Sequence, residues 1–215
     1  MDKRLVLSAS SLNLYLECPR CFWLQVNRAL KRPRGPFPSI ATGLDSVVKK
    51  YFDSYRKSGN LPPILSGKIK ARLIDFLPKT LWYNADNLNA SLMGKLDECI
   101  IDEEGFYLPL DHKTRASVPS DTHPAYRFQM SVYTLLLQKN DYNTRDLAYL
   151  VYYAPDAGVL HNGFPFAVGI KEVRTEPHKA EETFVKAVEL LRADMPSSSD
   201  ACEFCSWARQ VKPLF

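Results

Sequence analysis

Two aspartates and a lysine on facing strands, and four cysteines in two Cys-x-x-Cys pairs, are the residues of this sequence best placed to do chemistry. Asp111-His112-Lys113 closes an apolar run that begins at Phe106. Side chains alternate along a strand, so Asp111 and Lys113 share a face. Residues 92–101 form a second β-like run, joined to the first by Asp102-Glu103-Glu104-Gly105, a hairpin signal. Counting outward from a three-residue turn around Glu104 sets Asp97 opposite Asp111. Directly opposed Cβ atoms lie roughly 5 Å apart, a gap one divalent ion can span. Two like charges facing each other cost stability unless a cation stands between them. A hard cation such as Mg²⁺ or Mn²⁺ takes carboxylate oxygens and keeps several waters. It can polarise a phosphodiester and activate a bound water, while a lysine positions that water or neutralises developing charge. The structural alternative is a surface hairpin with an ordinary cross-strand ion pair.

Cys18 and Cys21 lie near the start of the chain, Cys202 and Cys205 near its end. The N-terminus carries no sustained apolar run, so neither a signal peptide nor a membrane span is expected, and the cytoplasm is the default compartment. Thiols there stay reduced, and two Cys-x-x-Cys pairs then point to a metal before a disulfide. Four thiolates suit tetrahedral Zn²⁺ or a [4Fe–4S] cluster. Such a site would join residues 8–26 to residues 196–215. Cys99, alone in a strand, reads as a buried apolar residue.

The elements that must position these groups follow from hydrophobic period and punctuation. Residues 8–26 read as a helix capped by Ser8 or Ser10, with Pro19 breaking it just after Cys18. A basic, proline-rich loop spans 28–38. Residues 43–57 predict a helix with Leu44, Val47, Val48, Tyr51, Phe52 and Tyr55 inward, and residues 68–77 another short helix. After the hairpin come a helix at 123–138, strands at 147–153 and 164–173, and an amphipathic helix at 177–193. Residues 195–200 are a linker. This order suggests one α/β domain over residues 1–215: a mixed sheet flanked by helices, a helical N-terminal part and a C-terminal cysteine patch.

Gly94-Lys95-Leu96-Asp97, then Asp111-His112-Lys113, then Gln129-Met130-Ser131-Val132-Tyr133 resemble the ordered motifs of the RecB-like PD-(D/E)XK nucleases. Ser8 to Phe22, with its Ser-x-Ser-x-Leu, Tyr and Cys-Pro, is similar to the start of many members. The resemblance implies a restriction-endonuclease-like fold and Mg²⁺- or Mn²⁺-dependent hydrolysis of DNA. In that role Asp97, Asp111 and the His112 carbonyl hold the metal, Lys113 assists the water, and Gln129 and Tyr133 organise the site. It further implies exonuclease action on single-stranded or frayed ends, leaving 5′-phosphates, in repair, recombination or CRISPR-type processing, with a helicase or repair complex as partner. Two departures stand out. Many active members carry a histidine ligand on the second helix, where Gly43-Leu44-Asp45 offers only Asp45, a substitute ligand or a helix-start charge. CRISPR-associated and AddAB-type relatives place one N-terminal and three C-terminal cysteines around an iron–sulfur cluster. Here Val211 stands where the third C-terminal cysteine is expected and Cys21 restores the count, which favours [4Fe–4S] with Zn²⁺ as the alternative.

A net charge of +4 gives no global field that demands a polyanion, so nucleic-acid contacts must be local. Arg28, Lys31, Arg32 and Arg34, with Phe37 nearby, form the densest basic cluster and could track a single strand. Lys68, Lys70 and Arg72 are a weaker cluster, and Arg115 and Arg127 sit nearer the motifs. Trp82-Tyr83 and Tyr152-Tyr153 read as mostly core. The competing functional reading is a non-catalytic nucleic-acid-binding or scaffold protein that keeps the fold and the cysteine site.

Overall fold

The computed structural model describes residues 3–33, 35, 39–76 and 78–212. Arg34 and Phe37 of the basic loop lie outside them. A short strand (β1, Leu5–Ser8) leads into α1 (Ala9–Glu17). Ser8 is the cap: its Oγ accepts from the Ser11 N–H, and its own N–H donates to Ser11 Oγ at 2.6 Å. The predicted single helix breaks at Cys18, which is extended, and Pro19 opens α2 (Pro19–Asn27), where its missing N–H costs nothing. Next are α3 (Ser39–Arg56), β2 (Ala71–Leu73), β3 (Leu81–Ala85), β4 (Ala90–Gly94), β5 (Glu98–Asp102) and β6 (Tyr107–Thr114). The chain continues with α4 (Pro124–Gln138), β7 (Leu147–Pro155), β8 (Phe166–Arg174), α5 (Pro177–Arg192) and α6 (Glu203–Val211).

The run expected as one strand at 92–101 is two strands in different sheets. β4 lies in a three-stranded sheet of order β1-β4-β3, whereas β5 belongs to a five-stranded sheet of order β2-β5-β6-β7-β8. Lys95-Leu96-Asp97 is the crossing between them. The helix expected at 68–77 is instead β2, an edge strand antiparallel to β5. Its burial alternates with period two, Leu73 in and Arg72 out, and its backbone finds partners on the sheet edge. In the predicted inward stripe of α3, Val48 and Phe52 are buried but Val47 is exposed.

β5 and β6 pair antiparallel with Glu98 opposite Leu110 and Ile101 opposite Tyr107. Asp102 N–H closes the turn on Phe106 O at 3.0 Å. That register, continued one step past Glu98, aligns Asp97 with Asp111. β6 and β7 are parallel, joined by a crossover through α4. The five-stranded sheet is covered on both faces, which is why its central strands are apolar almost throughout. On β7, Leu150 and Tyr152 face a core shared with α1, α4 and α5, while Tyr149, Val151 and Tyr153 face a second core under α3. On β6, Leu108 and Leu110 face α3, so the odd positions Asp111 and Lys113 face α4. No helix among the described residues is long and apolar enough to cross a membrane.

Candidate active site and cysteine centre

Asp111 is 2% exposed at the carboxyl end of β6, and its Oδ2 meets the Lys113 ammonium two residues on. Burial and the neighbouring Asp97 push its carboxyl up to about 7, against the pull of Lys113. Asp97 Oδ2 accepts from the His112 N–H at 3.2 Å, fixing the crossing between the sheets onto β6. Gln129, on α4, joins the set: its Oε1 lies 3.0 Å from Lys113 Nζ, and its Nε2 lies 3.4 Å from Asp111 Oδ1 and 2.8 Å from Tyr133 Oη. One turn of helix separates Gln129 from Tyr133, so both reach the same face. The structure thus brings Asp97, Asp111, Lys113, Gln129 and Tyr133 together.

The His112 side chain is elsewhere. Strand alternation turns its ring toward α3, where it packs edge-on to Phe52 at 4.6 Å and its Nδ1 lies 3.2 Å from Tyr153 Oη. Burial lowers its pKa to about 4, leaving a neutral ring. With its ring turned toward α3, His112 presents only its backbone to the carboxylate cluster.

Asp45 is linked to the cluster through a residue that the motifs did not single out. Lys49 Nζ lies 3.1 Å from Asp45 Oδ2 and 3.3 Å from Asp97 Oδ1. Burial works against its charge, but Asp97 and Asp45 outweigh it and hold the ammonium above the ordinary lysine value. Glu98 and Arg56 form another pair missed in the sequence: Arg56 Nη2 is 2.6 Å from a Glu98 carboxylate that is only 1% exposed. This pair ties the end of α3 to β5 and so sets the position of Asp45 and Lys49. Tyr126 adds its ring beneath Lys113, 4.6 Å from Nζ. Cavities of about 320 Å³ open on either side of α3, one beside Asp45 and Lys113, the other beside Lys49 and Asp97.

Gly94 explains the first position of its motif. A Cβ there would stand 2.5 Å from Leu136 Cδ1 and 3.2 Å from the Tyr133 ring. Only glycine lets β4 approach α4 closely enough to bring Tyr133 and Gln129 over the carboxylates.

The two Cys-x-x-Cys pairs occupy equivalent places. Cys18 is the N-cap of α2 with Cys21 one turn inside it; Cys202 is the N-cap of α6 with Cys205 one turn inside. The positive ends of both helices therefore face the sulfurs, which favours thiolates. Burial opposes ionisation of Cys18, but backbone hydrogen bonds at Cys21 and Ser199 outweigh it and bring the thiol down to about 6. By contrast, burial pushes the Cys21 and Cys205 thiols up in the absence of a metal charge. Sγ separations are 3.5 Å for Cys21–Cys205, 3.6 Å for Cys21–Cys202 and 3.9 Å for Cys18–Cys205, with all four sulfurs within 4.8 Å of one another. Four thiolates on one tetrahedral ion at about 2.3 Å stand about 3.8 Å apart. In a [4Fe–4S] cluster each thiolate binds a separate iron, and the sulfurs must spread wider. The donors present thus fit a metal, and their spacing matches a single ion. Cys99 is fully buried, with its thiol pushed up to about 12 by burial.

Of the expected phosphate contacts, Arg32 is engaged with Glu17 at 2.5 Å and Arg28 stacks on Trp23. Arg127 pairs with Asp121, and Arg72 lies 3.9 Å from Asp75. Lys31, Lys68, Lys70 and Arg115 are exposed. Tyr152 and Tyr153 are core as expected, and Tyr83 is half-buried, but Trp82 is 43% exposed because it faces outward on β3.

Order, fold and motif geometry together define a restriction-endonuclease-like phosphodiesterase scaffold. The family model described as "PD-(D/E)XK nuclease superfamily" matches residues 44–210, and the chain belongs to that superfamily. No curated protein matches the sequence. Solved structures with a similar course include SSO0001, at 14% identity, a TM-score of 0.49 and coverage of 88% of this chain and 78% of that one. An alkaline exonuclease from Laribacter hongkongensis aligns over 99% of this chain and 96% of its own, at 12% identity and a TM-score of 0.45.

Proposed function

We propose that residues 1–215 are one nuclease domain that hydrolyses DNA phosphodiesters with Mg²⁺ or Mn²⁺, acting as an exonuclease on single-stranded or frayed ends. The observation that carries this reading is the buried Asp111 carboxylate, aligned with Asp97, contacted by Lys113 and bridged by Gln129. Burying the Asp111 carboxylate beside the half-buried Asp97 is costly, and carboxylate oxygens are the donors that a hard divalent ion takes. Asp97, Asp111 and the His112 carbonyl would hold the ion, with Asp45 joining if Lys49 withdraws. The ion supplies polarisation of the phosphate and a more acidic water. Gln129 holds the Lys113 ammonium in place. Lys113 then orients the attacking water and offsets the charge that gathers on the phosphoryl oxygens. Water oxygen bonds to phosphorus as the P–O3′ bond breaks, giving a 5′-phosphate and a 3′-hydroxyl.

The four-cysteine site is structural in this reading, and its sulfur spacing supports a single Zn²⁺ over the [4Fe–4S] cluster that the resemblance implies. Metal analysis of protein purified without oxygen should give about one zinc per chain and no iron absorption; iron and sulfide in equal amounts would overturn it. For the nuclease reading, oligonucleotides labelled at either end should be compared with a circular single strand. Shortening of linear strands from one end, with the circle intact, supports an exonuclease. Linearised circles would reassign it as an endonuclease.

A further inference from the structure

A cavity of about 520 Å³ lies between the segment after α2 and the outer face of α6, sharing no residue with the hairpin site. Arg20, Lys31, Arg209 and Lys212 line it with Phe204 and Trp207, and no carboxylate does. Among the described residues Arg20, Lys31 and Lys212 have no acidic partner, while Arg209 donates to Ser198 Oγ at 2.7 Å. Trp207 is a large aromatic left 65% exposed, and no described aromatic ring or cation stacks on it. Arg32 forms one wall: its guanidinium stacks 4.6 Å over Phe204, and its Nη2 lies 3.4 Å from Cys202 Sγ. Its charge is already met by Glu17, so it stiffens the wall and leaves the outer cations to an incoming anion.

We propose that this cavity is a second nucleic-acid site, which holds one or two nucleotides of a single strand with a base on Trp207 and phosphates on Arg209, Lys212, Lys31 and Arg20. The inference rests on the nuclease reading for the identity of the polyanion, and on charge complementarity for its place. Exposed cations without carboxylates attract a phosphate backbone, and an exposed indole offers a stacking platform that tolerates any base. α6 contributes no buried residue to the core. It is held to the body through Cys202 and Cys205 and the Arg32–Phe204 stack, so the metal at the cysteines would also keep this cavity assembled.

The test is anisotropy of a labelled oligo(dT) strand with the full chain carrying Asp111→Asn, so that cleavage does not intervene. Trp207→Ala should weaken binding about tenfold and Trp207→Phe much less, as loss and retention of a stacking face require. Lys212→Gln should lower the slope of log affinity against log salt by about 0.7, one single-strand phosphate contact. Unchanged affinity and slope in both Trp207→Ala and Lys212→Gln would overturn the site. So would loss of self-association in Trp207→Ala on sedimentation with binding intact, which would make the patch a contact between copies. Cleavage by protein with native Asp111 and Lys113 is scored separately, so failure here is distinct from failure of the nuclease reading.

Discussion

The Lys49 ammonium stands 3.3 Å from Asp97 Oδ1, on a carboxylate that also receives the His112 N–H. A monovalent cation thus sits against a group proposed to hold a divalent one, and metal binding must proceed against its charge. Lys49→Met should therefore tighten Mn²⁺ binding several-fold, read by isothermal titration or by the free-ion spin-resonance signal. Weaker binding in the variant would show that Lys49 supports the metal rather than opposing it.

Gly94→Ala tests the close approach of β4 to α4. The added methyl would meet Leu136 at 2.5 Å, an overpacking worth about 1–3 kcal/mol. Chemical denaturation should show that loss, and pairing the change with Leu136→Ala should cost less than the sum of the two single variants. Additive effects would mean that the strand, not the contact, is at fault.

Arg56→Ala leaves the Glu98 carboxylate buried without its partner. Breaking such a pair costs about 3–5 kcal/mol, while replacing both partners by apolar residues costs less. The comparison of Arg56→Ala with a double Arg56→Met, Glu98→Leu variant in urea reads the difference directly.

Asp111 also sets a pH dependence. Its carboxyl stands at about 7 in the native state against 3.8 ordinarily. Between these values the folded chain binds more protons than the unfolded one, so stability falls as pH rises from about 4 to about 7 and stays low above it. Glu98, also raised to about 7, acts with the same sign. Without added divalent ion, Asp111→Asn should gain stability relative to the wild type across that window, measured by urea unfolding at a series of pH values. A constant difference between the two proteins at all pH values would contradict the assignment.

The hairpin was legible because turn length and strand alternation fix its register: a three-residue turn about Glu104 aligns Asp97 with Asp111. The break at Pro19 and the paired cysteines were legible for similar local reasons. β2 is hidden in the sequence because it is only three residues long and owes its extended form to pairing with β5, some thirty residues on. α6 carries an apolar stripe of Phe204, Trp207, Ala208 and Val211, but none of its residues is buried, and its tie to the body runs through the cysteines. Lys49, Arg56 and Glu98 looked like ordinary charges, since their importance comes from packing α3 against β5, which no local pattern encodes.

The hairpin site itself is tested by cleavage of end-labelled single- and double-stranded DNA with Mn²⁺ or Mg²⁺, by the wild type and by Lys113→Ala purified alike without oxygen. The expected result is metal-dependent product from the wild type and a loss of about a hundredfold or more in the variant. No cleavage by the wild type, or equal cleavage by Lys113→Ala, would contradict an active site at Asp97, Asp111 and Lys113.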